Sequence, residues 1–180
     1  MKYDEDKLMD FCRTFYDSKD IMHNMWHLQL VKRWVERLIE EYNYSVDKDL
    51  LIPALYFHGF IYSHQSLIEE WLNKQGYSNE EIKSIVNIAW ESQRPEVPET
   101  FEGKVLHDAH VLEGGKTYAV VKTLITGSVR GQSLLETVDY LERNVIDKNT
   151  CYLPETKELC KEMNKWTNEF LEELKMGIKS

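Results

Sequence analysis

The chain has 180 residues, of which 42% are hydrophobic and 29% are charged, a balance typical of a globular protein and not of a disordered one. Its 22 lysines and arginines face 31 aspartates and glutamates, so the formal net charge is −9 and non-specific binding to nucleic acid is disfavoured. No apolar stretch approaches the roughly 18 residues that a membrane-spanning helix needs, which argues against an integral membrane protein.

Helical periodicity dominates the sequence and predicts an all-α fold, a helical bundle in which residues 1–180 form a single domain. The first helix is indicated by an apolar stripe at helical spacing, made of Leu8, Phe11, Cys12 and Phe15. Ser78 and Glu81 form a capping-box pair that opens the fifth helix. In chain order, the helices after the first are predicted over about residues 22–42, 48–62, 64–75, 78–92, 101–113, 116–126 and 132–146, and from Pro154 onwards.

Two segments depart from simple amphipathic helices. The segment from Gln93 to Pro98 is predicted to be the one long loop. The stretch from Thr117 to Thr126 is rich in β-branched residues, but a lone strand would have no partner. We therefore predict a buried helix there.

The cysteines and the start of the sequence bear on the cellular compartment. Cys12, Cys151 and Cys160 form an odd set without the spacing of metal ligands. The chain runs from Met1 through an acidic stretch into the first helix, which is unlike a secretory leader. Reduced thiols in a cytoplasmic protein are the expectation.

Titratable side chains lie within the apolar faces of three predicted helices. His23 and His27 project onto the same face as Val31, Trp34 and Leu38, and His58 lies in the middle of the apolar stripe of the third helix. Asp108 shares a face with Val105, Ala109 and Leu112. A carboxylate in such a place is costly to bury unless it is paired, hydrogen-bonded or bound to a metal.

These inward groups predict a divalent metal site with His27, His58 and Asp108 as ligands. Imidazole and carboxylate together suit zinc, manganese, iron, cobalt, nickel or magnesium. Such an ion lowers the pKa of a coordinated water to about 7, which is the chemistry of a hydrolytic centre. A buried, hydrogen-bonded core histidine is the alternative for each imidazole. Helical projection turns His107 and His110 away from the face of Asp108, so they are expected at a rim or in solvent.

Three segments resemble the HD-domain superfamily of metal-dependent phosphohydrolases. The run from His23 to His27, followed by Val31, resembles the HDxxH…V opening of one branch. Residues 52–59, IPALYFHG, resemble the apolar run into the His-Asp pair, and residues 105–112, VLHDAHVL, resemble the segment that supplies the last aspartate. The resemblance spans about residues 20–145 and implies the same three ligands.

The sequence also departs from this pattern. Gly59 stands where the superfamily has its name-giving aspartate, and Asn24 replaces another acid. Three alternatives stay open: Glu91 completes the ligand set, the ion keeps three protein ligands and waters, or the site has lost both metal and catalysis.

Hydrolysis of a phosphate ester also requires groups that bind the phosphoryl oxygens. Lys116 follows the Gly114-Gly115 pair at the start of a predicted helix, and Arg130 lies in a glycine-flanked turn, with Lys122 as a further cation. His64 is a candidate for substrate orientation or general acid catalysis. Surface lysines and a helix-terminal surface histidine are the opposing interpretations. Three aromatic residues are expected either to wall the pocket or to belong to the core, namely Trp26, Tyr62 and Trp90.

The sequence therefore predicts a metal-dependent hydrolase that acts on a small phosphorylated metabolite or nucleotide, with His64, Glu91, Lys116 and Arg130 as catalytic candidates. The alternative from another class is a catalytically inactive ligand-binding or partner-binding module, which Gly59 motivates. Two-iron oxygenation is a third, and it requires His23, His64 and Glu91 to point inward. Homodimer formation is an open expectation.

Overall fold

The computed structural model describes residues 2–146, 148 and 150–178, and it is all-helical there. This confirms the predicted all-α fold, and the stretch from Thr117 to Thr126 is helical as expected. Contacts group the chain into two compact units, Met1–His110 and Val111–Ser180. The described helices are α1 (Glu5–Asp17), α2 (Met25–Tyr42), α3 (Lys48–Phe57), α4 (Ile61–Lys74), α5 (Asn79–Glu91), α6 (Phe101–Val111), α7 (Gly115–Val129), α8 (Leu134–Asn144) and α9 (Pro154–Ile178).

In the first unit, α3 is the central helix. Every residue from Leu51 to His58 is buried, and α3 packs on α1, α2 and α5. A short helix that is apolar on all sides is stable only when other elements surround it. The position of His58 directly after this helix therefore brings an imidazole into the interior of the unit.

In the second unit, α7 packs on α8 and α9 around a small apolar cluster. Val120, Val138, Leu141 and Leu171 are buried in this cluster, and Trp166 packs against it. The helix α7 is buried on only one side: Val120 is 2% exposed, whereas the neighbouring Val121 is 47% exposed. The prediction of a helix is thus confirmed for this stretch, whereas the expectation that it is buried holds for one face only.

Two helix boundaries differ from the prediction near the histidines. The helix α2 begins at Met25 because Asn24 caps it, with its side chain accepting a hydrogen bond from the Trp26 amide at 2.9 Å. His23 therefore precedes the helix, and its predicted place on the inward stripe of α2 is wrong. The third helix ends at Phe57, and α4 begins at Ile61, so His58 is a C-cap residue.

The capping box of α5 is confirmed. Ser78 accepts from the Glu81 amide at 3.3 Å, and Glu81 accepts from the Ser78 amide at 2.7 Å. Lys2 and the Ser78 amide also lower the pKa of Glu81, to about 2.

Replacing Ser78 with alanine is expected to destabilise the protein by about 1 kcal/mol near neutral pH, because the Glu81 amide loses its acceptor. The contribution of Glu81 is present above its ordinary pKa of about 4.5 and is lost as the pH falls towards about 2. Urea denaturation of wild type and Ser78→Ala at pH 7 and pH 3 measures the cost of the substitution and its dependence on pH. Ser84→Ala, within the same helix, is the control. Equal midpoints for Ser78→Ala and Ser84→Ala would contradict the prediction.

Candidate metal centre

Three histidines from three helix ends converge in the first unit. His27 lies in the first turn of α2, His58 caps α3, and His110 lies in the last turn of α6. One ring nitrogen from each lies within 4.8 Å of the other two, and the Nε2 atoms of His27 and His58 are 3.1 Å apart. His27 and His58 are buried and His110 is partly buried. The structure thus brings together residues that are 31 and 52 positions apart in the sequence.

Backbone carbonyls fix the tautomer of two of these rings. The Nδ1 atom of His58 lies 2.5 Å from the Leu55 carbonyl oxygen, and the Nδ1 atom of His110 lies 3.2 Å from that of Ser92. Since a carbonyl only accepts hydrogen bonds, each Nδ1 carries the proton and donates it. Each ring then carries its lone pair on Nε2, and that of His58 faces Nε2 of His27 at 3.1 Å; a histidine held through Nδ1 in this way is typical of metal-binding histidines in proteins.

The distances and the donor chemistry fit a divalent metal ion. Two nitrogens bound at about 2.05 Å to a tetrahedral ion are about 3.3 Å apart, close to the observed 3.1 Å between His27 and His58. Three neutral imidazoles suit zinc, iron, cobalt, nickel and manganese. Three protein ligands also leave coordination positions for water or substrate, as in catalytic zinc sites.

The position of His110 corrects the sequence prediction. His110 was expected at a rim or in solvent because helical projection turned it away from Asp108. That projection assumed one inward face, but α6 is buried on all sides from Val105 to Ala109. His107, which was likewise expected at a rim or in solvent, is only 2% exposed.

Asp108 is fully buried on α6, and its carboxylate oxygen lies 3.3 Å from Nδ1 of His107. Within the part of the chain that the structure describes, the group of mutually close ligand atoms consists of the three histidines and does not include Asp108. Coordination of a metal by Asp108 stays a prediction.

The space beside Gly59 is filled by Tyr16 of α1. A Cβ atom at position 59 would lie 2.6 Å from the phenol oxygen of Tyr16 and 2.8 Å from its Cε1. The phenol oxygen also lies 3.5 Å from Nδ1 of His58. Complete burial raises the pKa of Tyr16 well above its ordinary value, so the phenol stays protonated.

The Glu91 carboxylate lies at the start of α6. Its oxygens accept hydrogen bonds from the Glu99 amide at 3.2 Å and the Thr100 amide at 3.3 Å, as well as from the Thr100 hydroxyl and the Asn87 side chain. This carboxylate is therefore the hydrogen-bond acceptor for backbone amides directly before the first residue of α6. Glu91 lies outside the histidine group.

The other predicted catalytic residues lie in varied settings, and their roles stay predictions. His64 is exposed at a kink in α4, with Nδ1 2.7 Å from the Ser63 hydroxyl. In the second unit, Lys116 is exposed and lies 3.5 Å from a Glu162 oxygen, and Arg130 is exposed at the end of α7. Lys122 forms a part-buried ion pair with Glu113, at 2.9 Å to each oxygen.

Two of the aromatic candidates form a pair. The rings of Tyr62 and Trp90 are 4.4 Å apart, and Tyr62 is 50% exposed, whereas Trp90 donates its indole hydrogen to Gln65 at 2.8 Å. Trp26 is 46% exposed. Tyr62 and Trp26 are therefore surface residues and not part of the core.

Two residues between α1 and α2, Lys19 and Asp20, were not recognised as neighbours of the site, whereas His23 was expected beside His27. Lys19 donates to the carbonyl of Gly59 at 2.5 Å. Asp20 holds the Nδ1 of His23 at 2.8 Å, and the ring of His23 lies 6.0 Å from that of His27. The pairing of Asp20 with His23 could have been indicated by their closeness in the sequence. The contact between Lys19 and Gly59 is tertiary, so no sequence pattern indicates it.

Comparison with known proteins shows the fold. No family model and no curated protein sequence matches the chain. The crystal structure of Bacillus subtilis YpgQ has 18% sequence identity and a TM-score of 0.75, covering 97% of each chain. YpgQ in complex with ADP has a TM-score of 0.74 at 18% identity, covering 94% of this chain and 97% of that one. A Lactobacillus plantarum protein has a TM-score of 0.72 at 18% identity, covering 97% and 96%.

Among the described residues, no helix combines the length and the apolar character needed to cross a membrane.

Proposed function

We propose that this chain is a metal-dependent phosphohydrolase of the HD-domain type, acting on a small phosphorylated molecule such as a nucleotide. The observation that carries the proposal is the convergence of His27, His58 and His110 with their coordinating nitrogens turned towards one point. The B. subtilis protein of similar fold was crystallised with ADP, which supports a phosphorylated ligand. Homodimer formation stays a prediction.

The proposed site has two kinds of residue, those that hold the ion and those that orient the ligand side chains. His27, His58 and His110 hold the ion, and the carbonyls of Leu55 and Ser92 keep two of the rings in the required orientation. When bound, a divalent ion supplies a water of lowered pKa and a positive charge beside the phosphoryl oxygens. In the overall reaction the water oxygen forms a bond to phosphorus as the bond to the leaving oxygen breaks, and a proton given up by the water ends on the leaving oxygen.

The groups between α1 and α2 can complete such a site. The ammonium of Lys19 is held at the Gly59 carbonyl, directly after the ligand His58. Asp20 accepts the Nδ1 proton of His23, which fixes the orientation of this ring beside that of His27. We therefore propose that Lys19 and His23, which lie beside His58 and His27, are substrate-facing groups of the first unit.

The test combines metal analysis with an activity screen. Purified wild-type protein is expected to contain about one divalent ion per chain and to hydrolyse at least one member of a panel of phosphate monoesters and nucleotides. His58→Ala is expected to lose both metal and activity, whereas His64→Ala, at an exposed histidine, is expected to keep the metal. Equal metal content and equal activity in wild type and His58→Ala would overturn the proposal.

A non-catalytic nucleotide-binding module is the second candidate. Its specific support is the phenol of Tyr16 beside Gly59, because no side chain at position 59 can reach an ion while that phenol is in place. Wild-type protein that binds ADP in a calorimeter without holding metal and without hydrolysing any ester would favour this function. The two-iron alternative has less support, since His64 and Glu91 are both engaged outside the histidine group.

A further inference from the structure

The backbone of Gly59 is bound on both sides by residues at the end of α1. The amide of Gly59 donates to the phenol oxygen of Tyr16 at 3.2 Å, and the carbonyl of Gly59 accepts from Lys19 at 2.5 Å. The phenol in turn donates to the carbonyl of Tyr56 at 3.2 Å. The segment on either side of His58 is therefore hydrogen-bonded to one buried side chain of another helix.

The same phenol explains why position 59 holds a glycine. Three side-chain atoms of Tyr16, the phenol oxygen and two ring carbons, lie between 2.6 and 2.9 Å from the place of a Cβ atom, closer than real Cβ contacts come. Tyr16 is completely buried, and its ring packs edge-on against Phe60 at a centroid distance of 5.9 Å. Because protein interiors are closely packed, the ring cannot move aside without disturbing its neighbours.

The contacts of Tyr16 extend to the metal ligand itself. Its phenol oxygen lies 3.5 Å from Nδ1 of His58, whereas the proposed coordinating atom is the other ring nitrogen, Nε2. The ammonium of Lys19 lies 4.9 Å from the centre of the Tyr16 ring, in the geometry of a cation–π contact. Lys19 thus contacts both Tyr16 and Gly59, and all three residues form one connected network with His58.

We infer that Tyr16 and Lys19 are positioning residues for the metal ligand His58, and that glycine at position 59 is required by the phenol of Tyr16. The inference rests on the proposed metal site. The chain has filled the space beside the ligand with a hydrogen-bonded phenol, which holds the His58–Gly59 segment in place without itself binding the ion. The affinity of the three-histidine site depends on this network.

The test uses Co²⁺ as the probe, titrated into metal-free full-length protein and followed by its visible absorption. Tyr16→Phe is expected to weaken Co²⁺ binding by about tenfold and to change the absorption spectrum, since loss of a group that orients a ligand typically weakens binding by 10- to 100-fold. Lys19→Met is expected to act in the same direction. Tyr56→Phe is the matched control, because its hydroxyl donates to Glu5 at 2.7 Å.

A second set of variants tests the steric coupling of positions 16 and 59. Gly59→Ala alone is expected to weaken Co²⁺ binding by tenfold or more. In the Tyr16→Leu background, where the clashing phenol atoms are gone, the same change is expected to have little further effect. Circular dichroism of each variant checks that the helices remain.

The outcomes separate the two proposals. Failure of the wild type to bind Co²⁺ overturns the proposed function and this inference together. A wild type that binds, with Tyr16→Phe indistinguishable from Tyr56→Phe, overturns the inference alone. Equal effects of Gly59→Ala in the wild-type and Tyr16→Leu backgrounds would overturn the steric part.

Discussion

Replacing His110 with alanine is expected to lower the affinity for a divalent ion by more than 100-fold. One of three coordinating nitrogens within 4.8 Å of each other is then missing, and two imidazoles alone hold an ion weakly. The loss should exceed the 10- to 100-fold change that follows removal of a group outside the coordination shell. Competition titration against a chelator of known affinity measures the change.

Asp108 provides the informative comparison for His110. If the three histidines are the ligands, Asp108→Asn, which preserves size and burial, should keep most of the affinity. If Asp108 also binds the ion, both variants lose it to a similar degree. His64→Ala is the control for loss of an imidazole outside the group. Retention of wild-type affinity by His110→Ala would contradict the assignment of His110.

Replacing Glu91 with alanine is expected to destabilise the protein by about 3 kcal/mol. The buried carboxylate accepts hydrogen bonds from the amides of Glu99 and Thr100 and from the Thr100 hydroxyl. Without it, several part-buried donors before α6 lose a buried acceptor together, and leaving a buried polar group unsatisfied costs about 1–3 kcal/mol. Thermal and urea denaturation measure the effect, with the exposed Glu99→Ala as control. A Glu91→Ala protein as stable as Glu99→Ala would contradict this role.

A close contact with Gly103 gives an independent test of the same role. A Cβ atom at Gly103 would lie 1.7 Å from a Glu91 oxygen, so Gly103→Ala should destabilise the protein although alanine is the better helix former. In the Glu91→Ala background the same change should cost less, because the closest clashing atom is absent and only the contact with the Thr100 hydroxyl at 2.7 Å remains. Since α6 carries His110, Glu91→Ala should also weaken metal binding.

The sequence predicted two of the three histidines because their helices follow a simple pattern. His27 and His58 lie on or directly after strongly apolar stretches, where burial can be read from periodicity. His110 could not be found in the same way, because α6 is buried on all sides and the pattern of one inward face does not hold. The boundary of α2 was also missed, since Asn24 as a cap excludes His23 from the helix.

The network around Gly59 shows what a single sequence cannot provide. Glycine at this position indicated only that a side chain was missing. That the space is filled by Tyr16, 43 residues earlier, depends on how α1 packs against α3. The same holds for Glu91, whose partners lie across the loop before α6 and are set by tertiary structure.

The carbonyls of Leu55 and Ser92 restrict the rotation of the His58 and His110 side chains. An imidazole on a flexible surface turns among several rotamers and must be immobilised when it captures an ion, which reduces the net affinity. The rings of His58 and His110 are already anchored through Nδ1. For the proposed metal ion, little entropy therefore remains to be lost on binding, and we expect the fixed spacing of the nitrogens to govern selectivity among ions.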